Sequence, residues 1–489
     1  MSGTRAHLLA LVLTIASAGW VWAEDVLLTS KDGAFRLDGT ILSFDREVIR
    51  IDTVYGPLTV NREGVECTGI GCPAPDAIPL TVISGASRVG DVLMPALIRA
   101  FAASRGLSVD LIRLDPRTER FVLSRDDAAV SHFDLRQTTT REGFADLIAA
   151  EADIVMALRE PTQTEQELAA EAEMGDLTDP RHIRVIALDG LVPTDPVGKI
   201  DSVSAEKLSF AYLRGSPSGA YARGYAEWLA VWRDGVSALD QVAALGQSDL
   251  GSETSGIGVA PFSSVDLGAV LPITGTCGIT HRATQASLRT EDYPLTMPIM
   301  LYTPARKLPQ HARAFLSYLQ GDRANRIVRR SGFVDLALQR FDLAGQGLRL
   351  ARGISNARDR QTWRELQRFV EDVRGFDRIS MTFRFRDGTA RLDAQSEENL
   401  SRFAQLLERG RFDGRQIKLI GFSDGVGPAE DNRDLSEDRA ASVLDSVTRR
   451  LDASSVKLSA AGFGEILPVA CDDTPWGRAL NRRVEIWVD

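Results

Sequence analysis

The rhythm of hydrophobic and polar positions changes several times along these 489 residues. An uncharged apolar run fills Leu8 to Ala18, behind Arg5. From Glu24 to about Pro75, apolar residues come in short stretches: Val26 to Leu28, Phe35 to Leu37, Ile41 to Phe44, Val48 to Ile51 and Tyr55 to Val60. Gly, Asp and Asn turns separate them, which predicts a small antiparallel sheet or barrel. About 50 residues bury little core unaided. This unit is expected to lean on its neighbour or on a cysteine loop.

From Leu80 the pattern becomes strand, helix, strand. Leu80 to Ser87 is a predicted strand running into small residues. Asp91 to Ala103 is a predicted helix with Val92, Leu93, Leu97, Ile98 and Phe101 on one face, and Val109 to Leu114 is the next strand. The alternation continues through Asp153 to Ala157, Val185 to Leu188 and Gly256 to Pro261, as an α/β layer arrangement requires. In the following stretch Leu348 to Leu350 reads as a short strand. Arg358 to Arg374 reads as a helix whose stripe of Trp363, Leu366, Phe369, Val370 and Val373 is a docking face. The last part predicts β-α-β-α-β-β: strand Ile379 to Phe385, helix Ala394 to Glu408, strand Ile417 to Gly421, helix Leu435 to Leu451, then strands Val456 to Gly462 and Val484 to Val488. The expected fold class is multidomain α/β and α+β. Its segments are 1–23, a β-rich head 24–76, an α/β domain 77–336, a partly helical connector 337–377 and a C-terminal domain 378–489.

Val21-Trp22-Ala23 ahead of Glu24 makes residues 1–23 a secretory signal peptide in expectation. The formal net charge of −10 argues against nucleic acid as a partner sought through bulk electrostatics. Export would permit disulfides. Cys67 and Cys72 lie in VECTGIGCP, a tight turn that suits a local bridge; the alternative is two buried thiols. Cys277 and Cys471 either pair across domains or stay free. His132, His182, His281 and His311 show no metal-ligand spacing, and no hydrolase elbow surrounds any serine. No catalytic residue, metal or cofactor is expected.

The densest polar constellation is GFSDGVGPAEDNRDLSEDRAASV with NRRVEIWV after it. Asp424, Asn432, Arg439 and Arg483 offer one carboxylate and guanidinium forks. That set complements an amine and a carboxylate on one carbon; the plainer reading is an Asp424–Arg439 salt bridge. FRFRDGTARLD, IKLIGFSDGVG, N-x-x-L-S-x-x-R-A-x-x-V, GFGEILPVA and NRRVEIWV together resemble the OmpA-like (OmpA/MotB C-terminal) domain. The resemblance implies that Asp424 and Arg439 hold diaminopimelate of a peptidoglycan stem peptide, that Asn432 and Leu435 flank the pocket, and that Arg483 joins it. Phe422 and Ser423 stand where the family often has histidine and threonine.

Five central motifs, ISGASRVGD, ADIVMALRE, SGIGVAPFSSV, EDYPLTMPIMLYTPA and RRSGFVDL, resemble periplasmic phosphate-type substrate-binding proteins. The resemblance implies two lobes that close over an oxyanion. Ser84, Ala86 and Ser87 would make the first contact and Arg159 the second-lobe or hinge contact. The competing readings are a helix cap for the serines and a salt bridge for Arg159. The loop expected to close on the anion is matched only by Arg214 to Gly219, where Pro217 removes a donor. Taken together, the sequence predicts a non-enzymatic periplasmic protein attached to peptidoglycan and associated with the outer membrane. Its central domain senses a small oxyanion such as phosphate or docks an envelope protein. The alternatives are a phosphate-type receptor of an ABC transporter and an envelope hydrolase.

Overall fold

The computed structural model describes residues 26–489 except 46, 75–76, 196–197, 199–200, 205–257, 358, 387–390, 452–455 and 474. The predicted signal segment and the loop Arg214 to Gly219, Pro217 included, lie outside the described residues. The chain divides into two compact units, Met1–Pro79 and Leu80–Asp489.

The first unit is an antiparallel sheet of β1 (Val26–Ser30), β2 (Arg36–Phe44), β3 (Val48–Thr53), β4 (Gly56–Asn61) and β5 (Val65–Thr68), in the order β4-β3-β2-β1-β5. Alternation in β1 sends Val26 and Leu28 inward to meet Ile49, Ile51 and Val65. A disulfide joins Cys67 to Cys72, and both cysteines pack on this small core. The cysteine loop thus adds apolar surface to a sheet with little of its own.

The second unit begins with an eight-stranded sheet in the order β13-β11-β16-β10-β6-β9-β8-β7. Its strands are β6 (Leu80–Ala86), β7 (Ser108–Asp115), β8 (Thr118–Arg125), β9 (Ala128–Thr138), β10 (Ile154–Ala157), β11 (Ile183–Thr194), β13 (Gly258–Pro261) and β16 (Thr296–Tyr302). Strands β9, β6 and β10 are parallel at its centre, whereas β7, β8 and β16 pair antiparallel. A separate small sheet holds β12 (Val203–Ser204), β14 (Ile273–Thr274) and β15 (Thr280–His281). Phe101, Phe133 and Phe315 meet edge to face between the sheet and its helices. The helix predicted from Asp91 starts as a π-helical turn, Val89–Leu93, and continues as Met94–Ser104. Pro95 has no N–H to offer the Asp91 carbonyl, so a regular α-turn is not available there.

The last sheet runs β17 (Arg340–Phe341), β18 (Asp377–Arg384), β21 (Arg483–Val488), β19 (Gln416–Phe422) and β20 (Lys457–Gly462). Helices Ala394–Glu408 and Ala429–Thr448 cover one face, where Ile379, Phe383, Leu419 and Ile486 meet Leu400, Phe403 and Val443. Gly421 and Gly462 pair across β19 and β20. A Cβ on Gly421 would come within 1.9 Å of the Ser436 carbonyl oxygen, so only glycine lets the second helix lie this close. On the other face, helix Arg360–Asp372 packs Leu366, Phe369 and Val373 against Phe422, Phe463 and Trp487. Trp363 remains 43% exposed, so the docking stripe is narrower than its sequence suggests. Leu348 to Leu350 is not a strand but part of the helix Gly347–Asn356. Leu350, Gly353 and Ala357 follow helical spacing, which decides against a three-residue alternation.

Within this unit the central and C-terminal layers are tied together. Cys277 and Cys471 form a disulfide across them. Arg378 grips Asp292 through two bonds of 2.7 and 3.1 Å. Thr382 Oγ1 donates to the Thr290 carbonyl and Arg384 Nη2 to that of Glu291. Glu160 accepts from the Ala394 N–H at the start of helix Ala394–Glu408 and pairs with Arg386 at 2.8 Å. The first-turn N–H groups of a helix lack internal partners, so a carboxylate there stabilises both domains.

Candidate functional site

Asp424 sits in the loop between β19 and helix Ala429–Thr448. Its Oδ2 accepts from Arg482 Nη1 at 2.9 Å, and its Oδ1 accepts from the Val426 N–H at 3.2 Å. Arg439 projects from the middle of that helix and lies over the Phe385 ring at 5.7 Å. Its Nη1 is buried and has no hydrogen-bond partner. Burial, then the nearby Arg482, push the Arg439 guanidinium pKa down, and Asp424 pulls it back up. The three charges are therefore within electrostatic reach, and the spare donor belongs to Arg439.

The loop is braced from outside. The Gly425 N–H donates to Asp472 Oδ2, and Asn481 Nδ2 donates to Asp472 Oδ1. Asn481 Oδ1 accepts from Val469 and Ala470, so one buried amide fixes the whole return loop. Asn432 is buried and donates to Glu465 at 2.7 Å. Leu435 stands 45% exposed on the first half of the helix.

Arg483, expected in the pocket, is not there. It is 0% exposed, lies over Phe422 at 4.2 Å, and donates to Glu485, the Asn481 carbonyl and the Leu467 carbonyl. Strand parity explains the correction. Val484, Ile486 and Val488 face the helices, so Arg483 points to the opposite side and Arg482 takes the helix side. Burial lowers the Arg483 pKa to about 9, with Arg349 and Arg378 adding repulsion against the pull of Glu485. Sequence reading missed Arg482, Asp472 and Phe385; counting parity back from Val484 would have found the first.

The candidate anion cradle in the central domain has a different character. Ser84 is 0% exposed; its Oγ donates to Asp146 at 2.6 Å and lies 3.2 Å from the Thr138 hydroxyl. Ser87 Oγ donates to the Thr138 carbonyl at 2.7 Å. Ala86 is fully buried. Arg159 makes a two-pronged pair with Glu165, at 2.7 and 2.9 Å, and also donates to the Glu160 carbonyl. Glu165 completes the capping box of helix Gln163–Glu171. Burial, the largest single influence, would raise its pKa, but the Arg159 and Thr162 bonds together lower it. The side-chain donors of Ser84, Ser87 and Arg159 are thus spent inside the domain, against the expectation that they open onto an anion, and Ala86 has no side-chain donor to offer. Asp134, two residues after His132, is held by Arg120 through two bonds of 2.7 Å. No group of three or more metal-ligating side chains gathers among the described residues.

Residues 384–482 match the model of the OmpA family. Outer membrane porin F of Pseudomonas aeruginosa is 30% identical over 112 residues, which are 23% of this chain and 31% of that protein. The probable lipoprotein YiaD of Escherichia coli is 33% identical over 103 residues, 21% of this chain and 45% of that protein. The chain thus spans less than half the length of these two relatives. Among solved structures, an ABC-type phosphate transport receptor from Vibrio cholerae is similar over 52% of this chain and 99% of its own, at 14% identity and a TM-score of 0.35.

Proposed function

We propose, with an OmpA-type C-terminal domain as the premise, that this chain is a non-enzymatic protein of the periplasm that holds peptidoglycan through Asp424, Arg439 and Arg482. The ligand in this reading is the diaminopimelate residue of a stem peptide, with its free amine and carboxylate on one carbon. The observation that carries the proposal is the buried, unpartnered Nη1 of Arg439 beside a carboxylate already oriented by Arg482. A buried donor left unmatched costs free energy, and an incoming carboxylate relieves that cost. The ligand's ammonium then meets Asp424. Asn432 stiffens the pocket wall through Glu465, and Leu435 offers an apolar rim. Attachment next to the outer membrane belongs to the same proposal.

The central domain serves in this reading as a docking body, not as a phosphate receptor for a transporter. Support comes from Ser84, Ser87 and Arg159, whose donors are occupied, and from the many ties to the C-terminal domain.

Co-sedimentation of the mature chain with diaminopimelate-containing peptidoglycan tests the proposal. Asp424→Ala and Arg439→Ala should each weaken retention by about 2–5 kcal/mol, because each leaves a charge unmatched in the pocket. Arg439→Lys keeps the charge without the fork and should fall between. Sedimentation of all variants equal to the parent would refute the assignment.

A further inference from the structure

The seam between the two domains holds an open cavity of about 340 Å³. Residues Thr280 to Asp292 form one wall, the connector helix Gly347–Asn356 a second, and Arg378 with Pro468 and Val469 the rest. The volume is in the range of small-ligand sites.

Its charged lining is lopsided. Arg282, Arg349, Arg352 and Arg378 share the lining with a single acid, Asp292. Arg378 pairs with Asp292 at 2.7 Å. Arg349 pairs with Glu485 at 2.8 Å, but the same carboxylate also holds Arg483 at 2.8 Å. Neither Arg282 nor Arg352 pairs with a carboxylate among the described residues; Arg352 donates to the Thr280 carbonyl at 3.2 Å.

A second observation is independent of this count. His281 lines the same cavity, is 7% exposed, and its Nε2 has no hydrogen-bond partner. The Nε of Arg349 is likewise buried without a hydrogen-bond partner, whereas that of Arg378 faces Glu485 at 3.5 Å. Two unpaired guanidinium groups at the mouth and an unmet buried donor behind them are both unfavourable. One kind of occupant relieves both.

We infer that this cavity binds a small dianion, a dicarboxylate or a phosphate group, between Arg282 and Arg352 with His281 beside it. Guanidinium forks suit two oxygens on one centre. The site is separate from the peptidoglycan pocket, since none of Asp424, Arg439 and Arg482 lines it. Its success or failure therefore says nothing about retention on the wall.

The test is calorimetric titration of the mature chain with inorganic phosphate and with succinate, against chloride at equal ionic strength. One-to-one binding of at least one of the two below millimolar concentration is expected. Which of the two binds separates the phosphate source from the carboxylate source. Arg352→Gln and Arg282→Gln should each weaken it at least tenfold, and Arg282→Lys less. Arg282 is exposed, so its variants keep the fold, which unchanged melting in chloride verifies. Addition of the bound anion should also shift the His281 ring resonances in NMR spectra of the parent protein. Heats no larger than those of chloride, for both anions, would overturn the inference. Binding that persists unchanged in both glutamine variants would do the same, because it would place the anion elsewhere.

Discussion

Arg159, in the bend after β10, and Arg439, in the middle of helix Ala429–Thr448, have like surroundings: each is near an acid and over a phenylalanine ring at 5.7 Å. Arg159 is closed: its fork is filled by Glu165, and Glu165 is itself locked into a capping box. Arg439 is open: the acid beside it is held by a different arginine, and one of its own donors has nothing to bind. The lesson is that two arginines with like neighbourhoods can differ in whether their donors are filled. A binding site needs its acid positioned by someone else.

The largest expected effect probes the adjacent pair in NRR. Arg483→Ala removes one member of a fully buried ionic network and should destabilise the unit by about 3–5 kcal/mol, read by denaturant unfolding. Arg482→Ala should cost clearly less, about 1–2 kcal/mol, and weaken peptidoglycan retention as well. Equal unfolding of the two variants would break the distinction between inward and pocket-facing arginines.

The seam between the sites supplies the next effect. Burial raises the Glu291 carboxyl pKa to about 8, against 4.5 for an ordinary glutamate. A raised folded pKa means the neutral form stabilises the fold fully at low pH, and that stability is lost as pH climbs from about 4.5 to about 8. Glu291→Gln lacks this slope. Its melting temperature should match the parent near pH 4.5 and exceed it at pH 7 by the equivalent of about 2–3 kcal/mol. Parallel melting curves across that range would show that Glu291 is solvated.

Smaller effects sharpen the closed site. Arg159→Ala should cost about 2 kcal/mol of stability, because Glu165 loses its partner while partly buried, yet should leave phosphate titration unaltered. Ser87→Ala should cost about 1 kcal/mol for one hydrogen bond, again without any change in anion binding. A loss of phosphate binding in either variant would reopen the cleft as a receptor site.

Much of this molecule was legible from residue order. Alternation located β18, β19 and β21, and the apolar stripe located Ala394–Glu408 from end to end. The helix Ala429–Thr448 was expected only from Leu435. Its first six residues, AEDNRD, carry no apolar stripe because they border the pocket loop instead of the core. The faces of the last sheet were harder. Arg378, Thr382, Arg384, Arg483 and Glu485 alternate with apolar residues and look like a solvated side, yet all are buried. Thr290, Glu291 and Asp292, the partners of Arg378, Thr382 and Arg384, lie about 90 residues away in the central layers, and Arg483 and Glu485 hold each other; local pattern carries no information about such neighbours. The same distance hid the pairing of Cys277 with Cys471, which are separated by 194 residues. Asp424 and Arg439 stand out in residue order, and loop and helix set them within electrostatic reach. Arg482 was missed because one residue of strand register decides which of two adjacent arginines points inward.

The bond between Cys277 and Cys471 has a mechanical meaning. Cys471 directly precedes Asp472, which anchors the loop that carries Asp424. Under the proposed attachment to the cell wall, tension would enter at that loop and pass into the central layers through a covalent link one residue away. The ion pairs of the seam would then carry little of the shear. Reduction of the link would leave the long way round, through residues 278–470, as the sole covalent load path. The same contacts would then act as a compliant joint.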